Sequence, residues 1–301
     1  MPLTLLRQKI FYHKPNKMTP KRILGISRST QFSPHSEDRD AAIFAAVSSR
    51  LSRFADVSII SEDLFIAVDL SEFDLVFSMA RGRDVLECLA QAEREEGLVV
   101  INSAEHLLNL SRANLALLFK QNALSVPNLM VMKPTPETKA TLNFPLWIKR
   151  GDNCAQKQGD VQFVENESQF AQAMTDFANR GLQQVIVEEH LEGDLIKFYG
   201  VEGSAFFHIT YPTEKGGFSK FGLEEQNGQP QHFSFDADKL KTEADRAAQL
   251  TGITVYGGDA VVTPQGSIHI IDFNDWPSFS ACRKDAAKAI ANRIKFFDKA
   301  F

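Results

Sequence analysis

The chain has 301 residues, a net charge of −5 with both signs interspersed, and three widely separated cysteines, Cys88, Cys154 and Cys282. At roughly 100–200 residues per domain, that length allows two or more packed units. The charge balance excludes a broad basic face for nucleic acid. The lack of any apolar run near ~18 residues excludes a membrane-spanning helix. The cysteine spacing fits neither a disulfide framework nor a zinc site and points to a reducing, cytoplasmic setting.

Residues 1–18 hold a short apolar patch without a small-residue cleavage site, so they read as a disordered extension rather than a signal peptide. Met18, just before Thr-Pro-Lys-Arg-Ile-Leu-Gly-Ile, is an alternative start. Residues 21–27 predict a buried strand and 28–35 a polar loop. Ser36 is expected to cap a helix over 37–54 whose first turn is acidic. Strands are expected at 56–61, 74–78 and 98–102, with a helix over 83–95. Strands alternating with helices predict an open parallel α/β unit over 19–102.

Residues 103–110 and 112–122 predict helices. Residues 144–149 predict a strand, 150–160 a polar loop, 161–164 a strand and 168–179 an amphipathic helix stopped by Gly181. A short buried strand is expected over 184–188. Strands at 195–201 and 205–210 flank Glu202-Gly203-Ser204, and 211–222 reads as a long loop. A helix over 238–250 ends at Gly252. Two strands, 256–263 and 267–274, are joined by Pro264-Gln265-Gly266, and the last helix covers 280–295. The fold class is therefore α/β, with α+β character in the C-terminal part.

The chemistry concentrates in the last two strands. Gly257-Gly258-Asp259 lies on one; Ile271-Asp272-Phe273-Asn274-Asp275-Trp276-Pro277 ends the other. By strict alternation Asp272 and Asn274 share a face, which would also carry Ile268 and Ile270. Two carboxylates and an amide facing one spot repel unless a cation or donors lie between them. Asp259, Asp272 and Asn274 are thus candidate ligands for one or two divalent metals, with oxygen chemistry suited to Mg²⁺.

Upstream, Lys149 closes an apolar strand, where a cation can meet phosphate oxygens through charge-assisted bonds. In the following loop Gly151 and Gly159 permit close backbone approach, and Lys157 is within reach of a phosphate. Glu188-Glu189-His190-Leu191 follows another apolar strand. In this order and spacing, from about Arg22 to Arg293, the chain resembles the ATP-grasp superfamily.

That resemblance implies an N-terminal open parallel α/β domain (19–102), an ATP-grasp N-lobe (103–186) and a C-lobe carrying the metal site (187–301). It implies that Lys149, Arg112 and Lys157 meet the phosphates of ATP. Glu188, Glu189 and Leu191 would form the adenine hinge, and Asp194 would reach the ribose. Lys197 would stabilise the charge of the transferred phosphoryl group, and Arg283 would hold an anionic acceptor. The implied cofactors are ATP and Mg²⁺, with Mn²⁺ able to substitute. The implied partner is a small-molecule acceptor, and self-association is compatible with this class.

The chain also departs from the superfamily pattern. Asn114 replaces a frequent Lys, Leu195 a frequent acid, Asp272 a frequent Glu, and Ser278 a frequent Gly. The expected activity is an ATP-dependent carboxylate–amine or –thiol ligase acting through an acyl phosphate. One alternative is a kinase similar to the ATP-grasp inositol-phosphate kinases, whose Asn-x-Phe-Pro turn Asn274-Asp275-Trp276-Pro277 resembles. In that case Lys197, Lys215, Lys220, Arg283 and Lys284 would supply the basic pocket. The other alternative is a non-catalytic nucleotide-binding protein.

Overall fold

The computed structural model describes residues 20–33, 36–65, 68–153, 155, 157–214 and 223–297. The extension 1–18, Cys154, Lys215 and Lys220 lie outside these residues.

The chain opens with β1 (Arg22–Ser27), α1 (Glu37–Leu51), β2 (Asp56–Ser61), β3 (Leu75–Ser78), α2 (Arg83–Glu96) and β4 (Val99–Ile101). The strands form a sheet ordered β2-β1-β3-β4, parallel at every pairing, as the alternation of elements predicts. The run Ile23-Leu24-Gly25-Ile26 is apolar without alternation because both faces of β1 are covered. Ile23 joins a core with α1 residues such as Ile43 and Val47, whereas Leu24 and Ile26 pack with Leu86 and Leu89 of α2. Ser36 precedes α1, but its side chain makes no capping hydrogen bond.

Helices α3 (Ala104–Asn109) and α4 (Arg112–Gln121) lead to a second sheet. It comprises β5 (Leu129–Met132), β6 (Leu146–Arg150), β7 (Val161–Val164) and β8 (Val185–Glu189), with α5 (Glu167–Asn179) before β8. Its order is β5-β8-β6-β7, and all its pairings are antiparallel. Strand β5 was not expected from the sequence, since Leu-Met-Val-Met is a short apolar run without period. It forms because β8 offers it a hydrogen-bonding edge.

The third sheet takes β9 (Asp194–Val201), β10 (Phe207–Thr210), β11 (Val255–Val262) and β12 (Ile268–Asp275) in the order β10-β9-β11-β12. Helix α6 (Ala237–Thr251) precedes β11 and ends on Gly252 at φ +64°; α7 (Arg283–Lys295) closes the chain. Among the described residues no helix is long and apolar enough to cross a membrane.

One irregularity overturns the strict alternation expected of β12. Asp259 is paired with Asp272, but its neighbour Ala260 is paired with Ile270. Ile271 is therefore the extra residue of a β-bulge. Ile268 and Ile270 consequently share the core face with Phe273, while Asp272 and Asn274 turn to the other face. The predicted conflict of Ile, Asp and Asn on one buried face does not arise.

The first and third sheets are joined by a side chain that imitates a strand. Asn102, 1% exposed at the end of β4, donates from Nδ2 to the Val255 carbonyl at 2.9 Å and accepts the Val255 N–H at 2.7 Å. Asn102→Ala strands the buried Val255 N–H, while the Val255 carbonyl keeps the Trp276 N–H at 3.0 Å. It should cost about 2 kcal/mol of stability, read as a lower urea midpoint at unchanged slope.

Candidate active site

The three sheets meet around a cavity of about 350 Å³. Its floor is the polar face of the third sheet. Lys197 on β9 is paired with Asp259 on β11, and Asp259 with Asp272 on β12, so the three stand side by side in one row. Asn274 occupies the next row on the same face, opposite Gly257. Lys197 Nζ lies 3.0 Å from Asp259 Oδ1, and Arg112 Nη2, from the first turn of α4, lies 3.1 Å from Asp272 Oδ2. Gly258 is needed between them, because a Cβ there would collide with the Asp272 carbonyl and the Phe198 ring.

Burial by itself would raise the Asp272 carboxyl. Arg112, Lys149, a hydrogen bond from Asn274 and Lys197 outweigh it and hold this group below the usual carboxylate range. Asp272 is thus presented as a carboxylate, with Asp259 opposite it and the Asn274 amide in the next row. Two carboxylates and an amide oxygen suit a hard divalent cation that keeps part of its water shell. Among the described residues no three His, Cys, Asp or Glu side chains gather into a metal cluster. The fit therefore rests on the aspartate pair and the amide.

Lys149 connects this floor to the second sheet. Its Nζ lies 2.7 Å from Glu188 Oε2 and donates to the carbonyl of the bulge residue Ile271 at 2.8 Å. Both side chains are almost buried, at 9% and 6% exposure. Register explains the meeting: Lys149 faces Ile186 and Trp147 faces Glu188, so Lys149 and Glu188 are diagonal neighbours on one face. Glu188 is thus the counter-ion of Lys149, rather than an isolated hinge acid.

Glu189, His190 and Leu191 form one wall of the cavity with Trp147. The N–H groups of Glu189 and His190 bond to the carbonyls of Asn128 and Pro145 at 3.0 Å each. His190 is half-buried. It accepts from Trp147 Nε1 at 3.1 Å through Nδ1, and burial lowers its pKa, so it stays neutral.

Three expected site residues lie elsewhere. Asp194 is 2% exposed and absent from the cavity wall, because its oxygens accept the N–H groups of Gln231 at 2.6 Å and Phe233 at 2.8 Å. It clasps the segment before α6. Arg283 opens α7, which packs on α1, and it does not line the cavity. Lys157 is exposed on a loop whose base is tied by Asp160, a fully buried carboxylate bonded to Arg150 and Arg180.

The opposite end of the cavity holds residues that received no role from the sequence. Arg28 and Arg81 follow β1 and β3, where the strand order of the parallel sheet reverses. Ligands of open α/β sheets bind in that crevice. Arg28 bonds to Asp40 Oδ2 at 2.9 Å, and Arg81 to Asp275 Oδ1 at 2.5 Å. Ser33, Ser36 and Ser278 complete this end. The signal was available: an arginine within three residues of the end of each central strand of a parallel sheet.

No protein-family model matches the sequence, and no curated protein is similar to it in sequence. Solved structures are similar in fold. A D-alanine–D-alanine ligase from Bacillus anthracis, complexed with ATP, superposes with a TM-score of 0.60 at 11% identity over 91% of this chain and 98% of that one. A RimK domain ATP-grasp protein from Sphaerobacter thermophilus gives 0.60 at 16% identity over 90% and 98%. The chain therefore has the ATP-grasp fold, with the parallel α/β sheet in front of it.

The Lys149–Glu188 pair makes a stability prediction. Lys149→Met strands a buried carboxylate and should cost on the order of 3–5 kcal/mol. The double variant Lys149→Met/Glu188→Leu should recover most of that loss in chemical denaturation.

Proposed function

We propose that the chain is an ATP- and Mg²⁺-dependent ligase that activates a carboxylate as its acyl phosphate and transfers the acyl group to an amine or thiol. The observation that carries this reading is the charge pattern of the cavity. Each lysine and arginine among the described residues of the wall already faces a carboxylate: Lys197 with Asp259, Arg112 with Asp272, Lys149 with Glu188, Arg28 with Asp40, and Arg81 with Asp275. Such a wall suits a nucleotide whose phosphates arrive with a divalent cation. It does not suit an acceptor bearing several phosphates, which calls for a dense excess of Lys and Arg. That favours the ligase over the inositol-phosphate-kinase type.

Asp259, Asp272 and Asn274 would hold the metal. When bound, a divalent cation neutralises phosphate charge and orients the terminal phosphoryl group. Lys149 and Arg112, both seated against β12, offer N–H donors to phosphate oxygens. Lys197 lies beside Asp259, where charge collects as the phosphoryl group moves. Glu189, His190 and Leu191 with Trp147 frame the base, and the crevice at Arg81 and Ser278 admits the acceptor.

In the first step an acceptor carboxylate oxygen attacks the γ-phosphorus, the bond to the β–γ bridging oxygen breaks, and ADP leaves. In the second, an amine attacks the acyl carbon, inorganic phosphate leaves, and the amine proton is released to solvent. Positioning and electrostatics carry both steps.

Asp272→Asn keeps the side-chain volume and removes a charge the metal needs. Metal-dependent ADP release should fall by on the order of 100-fold or more, with the circular dichroism spectrum unchanged. An ADP-release screen against carboxylate–amine pairs and polyol phosphates supplies the substrate. Turnover only with polyol phosphates, yielding a phosphorylated product, would replace the ligase by the kinase. Unchanged turnover in Asp272→Asn would remove the metal assignment.

A further inference from the structure

We infer that Arg81, with Arg28 behind it, is a positioning residue that sets the orientation of Asn274 toward the metal by gripping the two residues that follow it. The inference rests on the metal reading proposed above. Asp275 directly follows Asn274 at the end of β12. Arg81 Nη2 donates to Asp275 Oδ1 at 2.5 Å and reaches its carbonyl at 3.4 Å. Arg28 Nη2 donates to the carbonyl of Trp276 at 3.2 Å and stands 3.6 Å from Asp275 Oδ2. Both backbone carbonyls after Asn274 are therefore held by guanidinium groups from another sheet.

The grip is itself fixed from behind. Arg28 directs Nη1 to Asp40 at 2.9 Å and Nε to the Met79 carbonyl at 3.1 Å, and its side chain is 7% exposed. Glu62, 6% exposed, anchors both arginine-bearing loops with one carboxylate. Oε2 accepts the Ser29 N–H at 2.7 Å, and Oε1 accepts the N–H groups of Arg81, at 2.7 Å, and Gly82.

The turn so held is one the chain would otherwise resist. Trp276 has φ +37° and Phe279 φ +48°, conformations that bulky L-residues adopt only when their surroundings impose them. Released from the arginines, this turn would keep its core packing and the Trp276 N–H bond to the Val255 carbonyl, but the Asp275 end would loosen, and the amide one residue upstream would lose part of its fixed direction. Partners of metal ligands usually contribute about 10–100-fold to metal affinity.

The test uses the full chain with a non-hydrolysable ATP analogue. Mn²⁺ binding is followed by electron paramagnetic resonance, and analogue binding without metal by calorimetry. Arg81→Gln should lower Mn²⁺ affinity about 10–100-fold and change the line shape of bound Mn²⁺, while metal-free analogue affinity stays within about 2-fold. Arg81→Lys should recover only part of the loss, since an ammonium cannot hold side chain and carbonyl together. If Arg81→Gln does not fold, Asp275→Asn carries the same comparison from the other partner. Wild-type Mn²⁺ affinity in these variants overturns the inference. So does a parallel loss of metal-free nucleotide binding, which would signal general damage to the site. If the wild type takes up no Mn²⁺ with the analogue, the metal reading fails and this inference falls with it.

Discussion

Two aspartates directly opposite each other on adjacent strands are the constraint around which this molecule is arranged. Like charges in that position destabilise a sheet, and a shared site tends to protonate one of them. Here Lys197 stands on one side of the pair and Arg112 on the other, giving the order cation, carboxylate, carboxylate, cation. Lys197 comes from the neighbouring strand at the same register, and Arg112 from the first turn of a helix before the second sheet. The row thus draws on elements more than 150 positions apart in the chain, such as Arg112 and Asp272. It exists only when the sheets are assembled.

The bulge at Ile271 makes that row compatible with a packed core. Without it, period two would carry Ile268 and Ile270 onto the face of Asp272. The extra residue reverses the phase, so the isoleucines keep their contacts with residues such as Phe198 and Phe273. The bulge also uses its own irregularity: the Ile271 carbonyl accepts from Lys149. A buried ion pair such as Lys149–Glu188 adds little net stability over an apolar pair, yet it fixes where a charge sits. Lys149 is thereby held between two sheets at a point set by both.

Most of the parallel sheet was legible in the sequence because its signals are local. Apolar runs, helix starts and Gly252 after α6 follow from neighbouring residues alone. That Asp259, Asp272 and Asn274 share one face was legible too, since the hairpin joining their strands is a local signal. What escaped required knowledge of pairing. The bulge depends on how β11 aligns with β12. Strand β5 depends on the free edge of β8. Asp194 looked available for a ribose until the N–H groups of Gln231 and Phe233, far along the chain, closed on it. Arg283 carried the right charge, but it opens α7 away from the residues that line the cavity. Arg28 and Arg81 were visible as residues but not as a pair, because only the order β2-β1-β3-β4 places the ends of β1 and β3 side by side.

The saturation of the cavity by ion pairs bears directly on how a nucleotide would enter. A triphosphate brings several negative charges into a wall whose Lys149, Lys197 and Arg112 already serve Glu188, Asp259 and Asp272. If phosphates took those cations outright, three carboxylates would be left facing new anions at low dielectric, a costly arrangement. Sharing resolves the conflict only if a further positive charge enters between the aspartates and the phosphates. On this argument the proposed metal dependence is more than a borrowed property of the fold. It follows from the matched charges of this chain, in which nucleotide and divalent cation compensate each other.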